Sequence, residues 1–198
     1  RIADVAAFKR RMRRDIVGTL TSTRSALERR RVGQRRSQAG EPKPAWAGVN
    51  LGFTHRGMTR LLGAGRPLLD PAFERGADAA ETRAALNDPP LEQWLPQFRG
   101  EDIDGLLLIT GPEPNFVRRY GDRVLAALGS AIRLVYSEMG LVRPGKQRGR
   151  EHFGFNDGIS QPGVRGLTKR SRPGRQPNQG LPGQDLIWPG EFVYGYPG

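Results

Sequence analysis

Residues 151–163 read EHFGFNDGISQPG. Around one aspartate, Asp157, this stretch sets two phenylalanines, three glycines and a proline. Gly154 and Gly158 allow a tight turn and the close approach of a flat ligand. Phe153 and Phe155 supply an apolar wall, Ile159 extends it, and Ser160, Gln161 and Pro162 end the turn. A carboxylate in such a wall is costly unless it has a partner or a task. An aspartate's ordinary pKa of about 3.9 leaves it ionised in mildly acidic water, ready to act as a base. Two blander readings stand beside this one. The first is an Asp-Gly turn with a side-chain cap. The second is a phosphate-cradling loop, although no helix N-terminus or lysine follows in the right place.

Other candidate chemistry is sparse. The chain has no cysteine, which excludes disulfides, thiolate metal sites and a cysteine nucleophile. It has two histidines. His152 lies five residues before Asp157, a span of roughly 17 Å when extended; it reads as a structural histidine or, less readily, as a metal ligand. His55 reads as a cap or surface residue. No His, Asp or Glu cluster has zinc or non-haem iron spacing. No apolar run is long enough for a membrane span. The formal charge of +12 suggests a polyanion partner, yet only four of the 32 basic residues are lysine. The arginines cluster at 10–14, 29–36 and 165–175 without interleaved aromatics. They read as solvated surface, with no nucleic-acid partner.

These residues need elements to position them. Ile2, Val5, Phe8, Met12 and Ile16 recur at three- and four-residue steps and predict a helix over 2–16. A further turn or short helix covers 22–31, and a long loop is expected at about 33–48. VNLGFT at 49–54 predicts a strand, 56–62 a short helix, and 71–86 another helix with Pro71 in its first turn. DGLLLIT at 104–110 is a continuous apolar run, expected to be a buried strand. A helix over about 114–129 and a strand over 131–140 follow. A second long loop spans about 164–188, and EFVYGY at 191–196 is the last expected strand. The order fits an α+β sandwich of ferredoxin-like type, a fold with a strand ahead of its first helix. Here the chain opens in that helix.

EHFGFNDGISQP resembles the GxxDG signature of the dye-decolourising peroxidases, haem enzymes that reduce hydrogen peroxide and oxidise dyes and phenols. DVAAFKRRM with LTST, VNLGFTHRGMTRLL, PAFERGADA, LNDPPLEQW and PGEFVYGYPG resemble further family segments, in order. The resemblance implies a dimeric α+β barrel type of fold, of which residues 1–198 would be the N-terminal ferredoxin-like half. It implies haem b as cofactor, and hydrogen peroxide and organic electron donors as partners. Asp157 matches the distal acid–base residue. Gly154, Phe155, Gly158, Ile159 and Ser160 are expected at the haem. The family's axial histidine and distal arginine would lie beyond residue 198, so the leading strand and C-terminal half are expected to be absent. The alternative is a fragment that is inactive or binds haem without turnover. Trp46, Trp94, Trp188, Tyr194 and Tyr196 are candidates for relaying radicals to bulky donors, or else ordinary packing residues.

Overall fold

The computed structural model describes residues 1–63, 70–99, 103–156, 162–166, 168, 185–192 and 196–197. The chain divides into two units, Arg1–Met139 and Gly140–Gly198.

The first unit is built on the expected apolar steps. Helix α1 spans Val5–Arg11; it widens into a π-type turn over Met12–Ile16 and tightens over Val17–Thr19. Asp4 caps it, its carboxylate accepting from the Ala7 amide at 2.9 Å. Ile2, Phe8, Met12 and Ile16 are buried with Val124, Leu128 and Ala131 in one cluster. Strands β1 (Gly48–Phe53) and β2 (Gly105–Thr110) pair antiparallel, with Val49 opposite Ile109 and Leu51 opposite Leu107. Their inner face, including Phe53, Leu107 and Ile109, packs on that cluster. The Phe8 and Phe53 rings meet edge to face at 6.3 Å. Helix α6 (Pro114–Leu128) follows α3 (His55–Leu62), α4 (Pro71–Arg75) and α5 (Ala80–Leu86), and buries Val124 and Leu128.

Several expectations change. Helix α2 spans Thr23–Gln38, so 33–38 is helix rather than loop. Ser22 and Ser25 form a reciprocal cap at its start. Gly33 is buried within van der Waals reach of Trp46, and Arg29 donates to the Ala47 carbonyl at 2.6 Å. Packing against 43–47 thus extends a helix that the polar sequence hides. The helix expected over 71–86 is broken, because Gly76 at φ +81° ends α4. β2 is not buried on both faces: Leu106 and Leu108 are 68% and 52% exposed. The strand expected over 131–140 is reduced to one antiparallel bridge, Ile132 with Ile2. A strand needs a partner for its backbone, and among the described residues only the segment around Ile2 lies alongside, with Ala3 and Arg133 amides bonding to Ala131 and Arg1 carbonyls.

In the second unit Gly163–Val164 (β3) and Leu186–Ile187 (β4) pair in parallel. The expected loop 164–188 therefore carries a strand residue at its start and two near its end. The strand expected over 191–196 begins instead as a tight turn, Pro189–Glu191, closed by Phe192 N–H donating to the Pro189 carbonyl. Proline has no amide proton to give a ladder there. Tyr194 lies outside the described residues.

One glycine offers a direct test of the packing. A Cβ on Gly57 in α3 would run into the Asp104 carbonyl, whereas one on Gly18 meets nothing within 4 Å. Gly57→Ala is expected to cost about 1–3 kcal/mol, and Gly18→Ala to stay within about 0.5 kcal/mol of the parent. Urea unfolding of both variants checks this.

Candidate functional site

The chain enters the Asp157 stretch through a tight, heavily bonded turn. Arg150 and Asn156 form an antiparallel bridge. Inside it the Glu151 amide donates to the Phe155 carbonyl at 2.8 Å, and the Gly154 amide to the Glu151 carbonyl at 3.1 Å. Gly154 sits at φ +92°, a conformation that a Cβ would strain. Two guanidinium groups from the preceding basic loop hold the turn. Arg143 Nη1 donates to the Glu151 carbonyl at 2.6 Å, and Arg150 Nη1 to the Gly154 carbonyl at 3.0 Å. The aromatic side chains of the same turn are exposed, Phe153 at 87% and Phe155 at 71%.

Phe155 was expected in a wall; it and Phe153 are exposed, with no covering partner in the second unit among the described residues. An exposed pair of large apolar rings flanking a glycine is unusual on a protein surface and points to a binding face. A Cβ on Gly154 would meet nothing within 4 Å, so the backbone between the two rings can be approached closely. These features fit a flat apolar macrocycle. His152 stands exposed on the same turn. Among the described residues no three His, Asp or Glu side chains gather to hold a metal ion. Of the expected site residues, the structure describes Gly154 and Phe155; Asp157, Gly158, Ile159 and Ser160 lie outside the described residues.

The remaining aromatics are held in ordinary ways. Trp46 packs near Gly33, and Trp94 Nε1 donates to the Pro89 carbonyl at 3.1 Å. Arg165 lies over the Trp188 ring at 4.5 Å. Tyr196 is exposed. Tyr136 is edge to face with Phe98, and its hydroxyl donates to Glu138 at 3.1 Å. That hydrogen bond holds the phenol pKa above its ordinary value.

The sequence reading missed a buried carboxylate. Asp104, the residue before β2, is completely buried. One carboxylate oxygen accepts from the Ile2 amide and from Arg60 Nη1, each at 2.7 Å; the other lies 3.3 Å from Arg56 Nε. Thr54 caps the helix carrying both arginines, its hydroxyl accepting from the Gly57 amide and donating to the Ile103 carbonyl. The signal was present: arginines at 56 and 60 share one face of α3. The group holds α3, β2 and the chain around Ile2 together, and its partners are all structural.

The comparisons with known proteins bear on the whole chain. Residues 1–144 match the family model described as the DyP dimeric alpha+beta barrel domain. Similar curated proteins include dye-decolorizing peroxidase msp1 of Mycetinis scorodonius, 34% identical over 98% of this chain and 34% of the relative. A dye-decolorizing peroxidase of Mycena epipterygia is 32% identical over 100% of this chain and 33% of its own length. The chain thus spans about a third of the length of these curated relatives. Among solved structures, a dye-decolorizing peroxidase in complex with 2,6-dimethoxyphenol superposes with a TM-score of 0.75. It is 32% identical, and the match covers 100% of this chain and 40% of that one.

Proposed function

Because this chain belongs to the dye-decolourising peroxidase family, we propose that it serves a haem-dependent peroxidase that reduces hydrogen peroxide and oxidises dyes and phenolic donors. The observation that carries the reading is the Phe153–Gly154–Phe155 turn, with both rings exposed and the Gly154 carbonyl bound by Arg150, followed two residues later by Asp157. Residues 1–198 then supply the proton-handling side of the site.

Haem b, when bound, supplies the redox chemistry of iron and porphyrin. The chain's own residues do the rest. Gly154 and Gly158 would admit the ring's flat surface, and Phe155, Ile159 and Ser160 would stand near its distal face. The Asp157 carboxylate would take a proton from one peroxide oxygen and hand it to the other, so that this oxygen can leave as water; the electrons for cleaving the O–O bond are the haem's to supply. The dimethoxyphenol held by the solved relative marks the class of small phenolic donor proposed here. Neither His152 nor His55 is assigned as an axial ligand.

The test is to load the purified protein with haemin and record the Soret band, then peroxide-dependent loss of a dye. A sharp ligated band with dye loss supports the reading. A ligated band without dye loss supports haem binding without turnover, and a free-haemin band without dye loss counts against haem binding and turnover by these residues alone. The same titration on His152→Ala is expected to leave the band position unchanged; a shift to the free-haemin spectrum would reassign His152 as the iron ligand.

A further inference from the structure

We propose that Arg143 and Arg150 are positioning residues whose guanidinium groups satisfy carbonyls of the 151–156 turn so that its exposed phenylalanines can be covered by an apolar ring. The inference rests on the haem reading above and adds to it two residues that no motif carries. A tight turn normally leaves carbonyl oxygens to water, and covering such a turn with an apolar ligand strands them at a cost. Here that cost is reduced in advance at three of the six carbonyls. The Glu151 carbonyl accepts twice, from the Gly154 amide and from Arg143 Nη1. The Gly154 carbonyl accepts from Arg150 Nη1, and the Phe155 carbonyl from the Glu151 amide. Hydrogen bonds with a charged donor are stronger than neutral ones, and two of them converge on a turn of six residues. Two long side chains would not be ordered on exposed carbonyls without a compensating gain. The clamp leaves the Phe153 and Phe155 rings exposed.

The experiment compares Arg143→Met, Arg150→Met and their Lys counterparts with the parent. Methionine keeps the apolar stem and removes the donor; lysine restores a charged donor. The first readout is hydrogen–deuterium exchange of the 147–156 amides without haem. The second is haemin affinity by Soret titration. Each Met variant is expected to raise exchange at the Glu151 and Gly154 amides and to weaken haemin binding about tenfold, with the Lys variants recovering most of both. Unchanged exchange and affinity in the Arg143→Met/Arg150→Met double variant would overturn the proposal. Faster exchange with unchanged haemin affinity would also overturn it, since the clamp would then be structural only. If the parent binds no haemin, the haem reading fails with it, and the exchange data show separately whether the clamp exists.

Discussion

Asp157→Asn is expected to slow the reaction with hydrogen peroxide by about 10²–10⁴-fold while haem binding persists, the range that a positioned acid–base group contributes. Asparagine has almost the same size and can still hydrogen-bond, but it cannot take up a proton at neutral pH. The variant therefore isolates proton transfer from shape. Stopped-flow mixing of the haem-loaded protein with peroxide, followed at the Soret band, measures the step directly. Reduction by a phenolic donor, started after that step, should change much less. An unaltered peroxide rate would remove Asp157 from the proposed mechanism. A loss of haem binding would make it a structural residue of the pocket.

Asp104→Asn is expected to cost about 2–3 kcal/mol of stability, with Asp104→Ala costing more. Removing one partner of a buried ion pair costs about 3–5 kcal/mol when the remaining charge is stranded. The lower figure applies because both arginine side chains keep 29% exposure and water screens them in part. Asparagine can still accept from the Ile2 amide, so it removes mainly the charge. Alanine removes the acceptor as well and leaves that amide unpaired. Urea unfolding should show lower midpoints in the order parent, Asn, Ala. Equal midpoints for all three would mean that Asp104 does not hold α3, β2 and the chain around Ile2 together.

The elements that survived from sequence to structure share one property: their signal is local. The steps from Ile2 to Ile16 predict a buried helical face, and Phe8, Met12 and Ile16 form it. The β1 and β2 segments are bounded by residues that end them, and they pair. The elements that changed depend on partners distant in sequence. Ile132, Val135 and Tyr136 suit a strand, yet a strand exists only where another backbone runs beside it, and among the described residues only the bridge at Ile132 forms. Conversely, α2 extends through a polar, arginine-rich segment because Arg29 and Gly33 find Ala47 and Trp46.

The same division runs through the candidate site. Sequence alone raised the acid–base reading of Asp157, an aspartate among glycines and phenylalanines. It also pointed to the family, through the order of whole segments. Only the tertiary structure showed which carbonyls of the turn the arginines bind and that both phenylalanines are exposed. A basic loop reads as solvated surface until a guanidinium group is seen 3.0 Å from the Gly154 carbonyl. It decided too that Asp104, one acid at the head of an apolar run, is buried between two arginines 44 or more residues away in sequence. Residue type and local spacing carry chemistry and periodicity. Burial and pairing depend on contacts between segments far apart in the chain, and those exist only once it has folded.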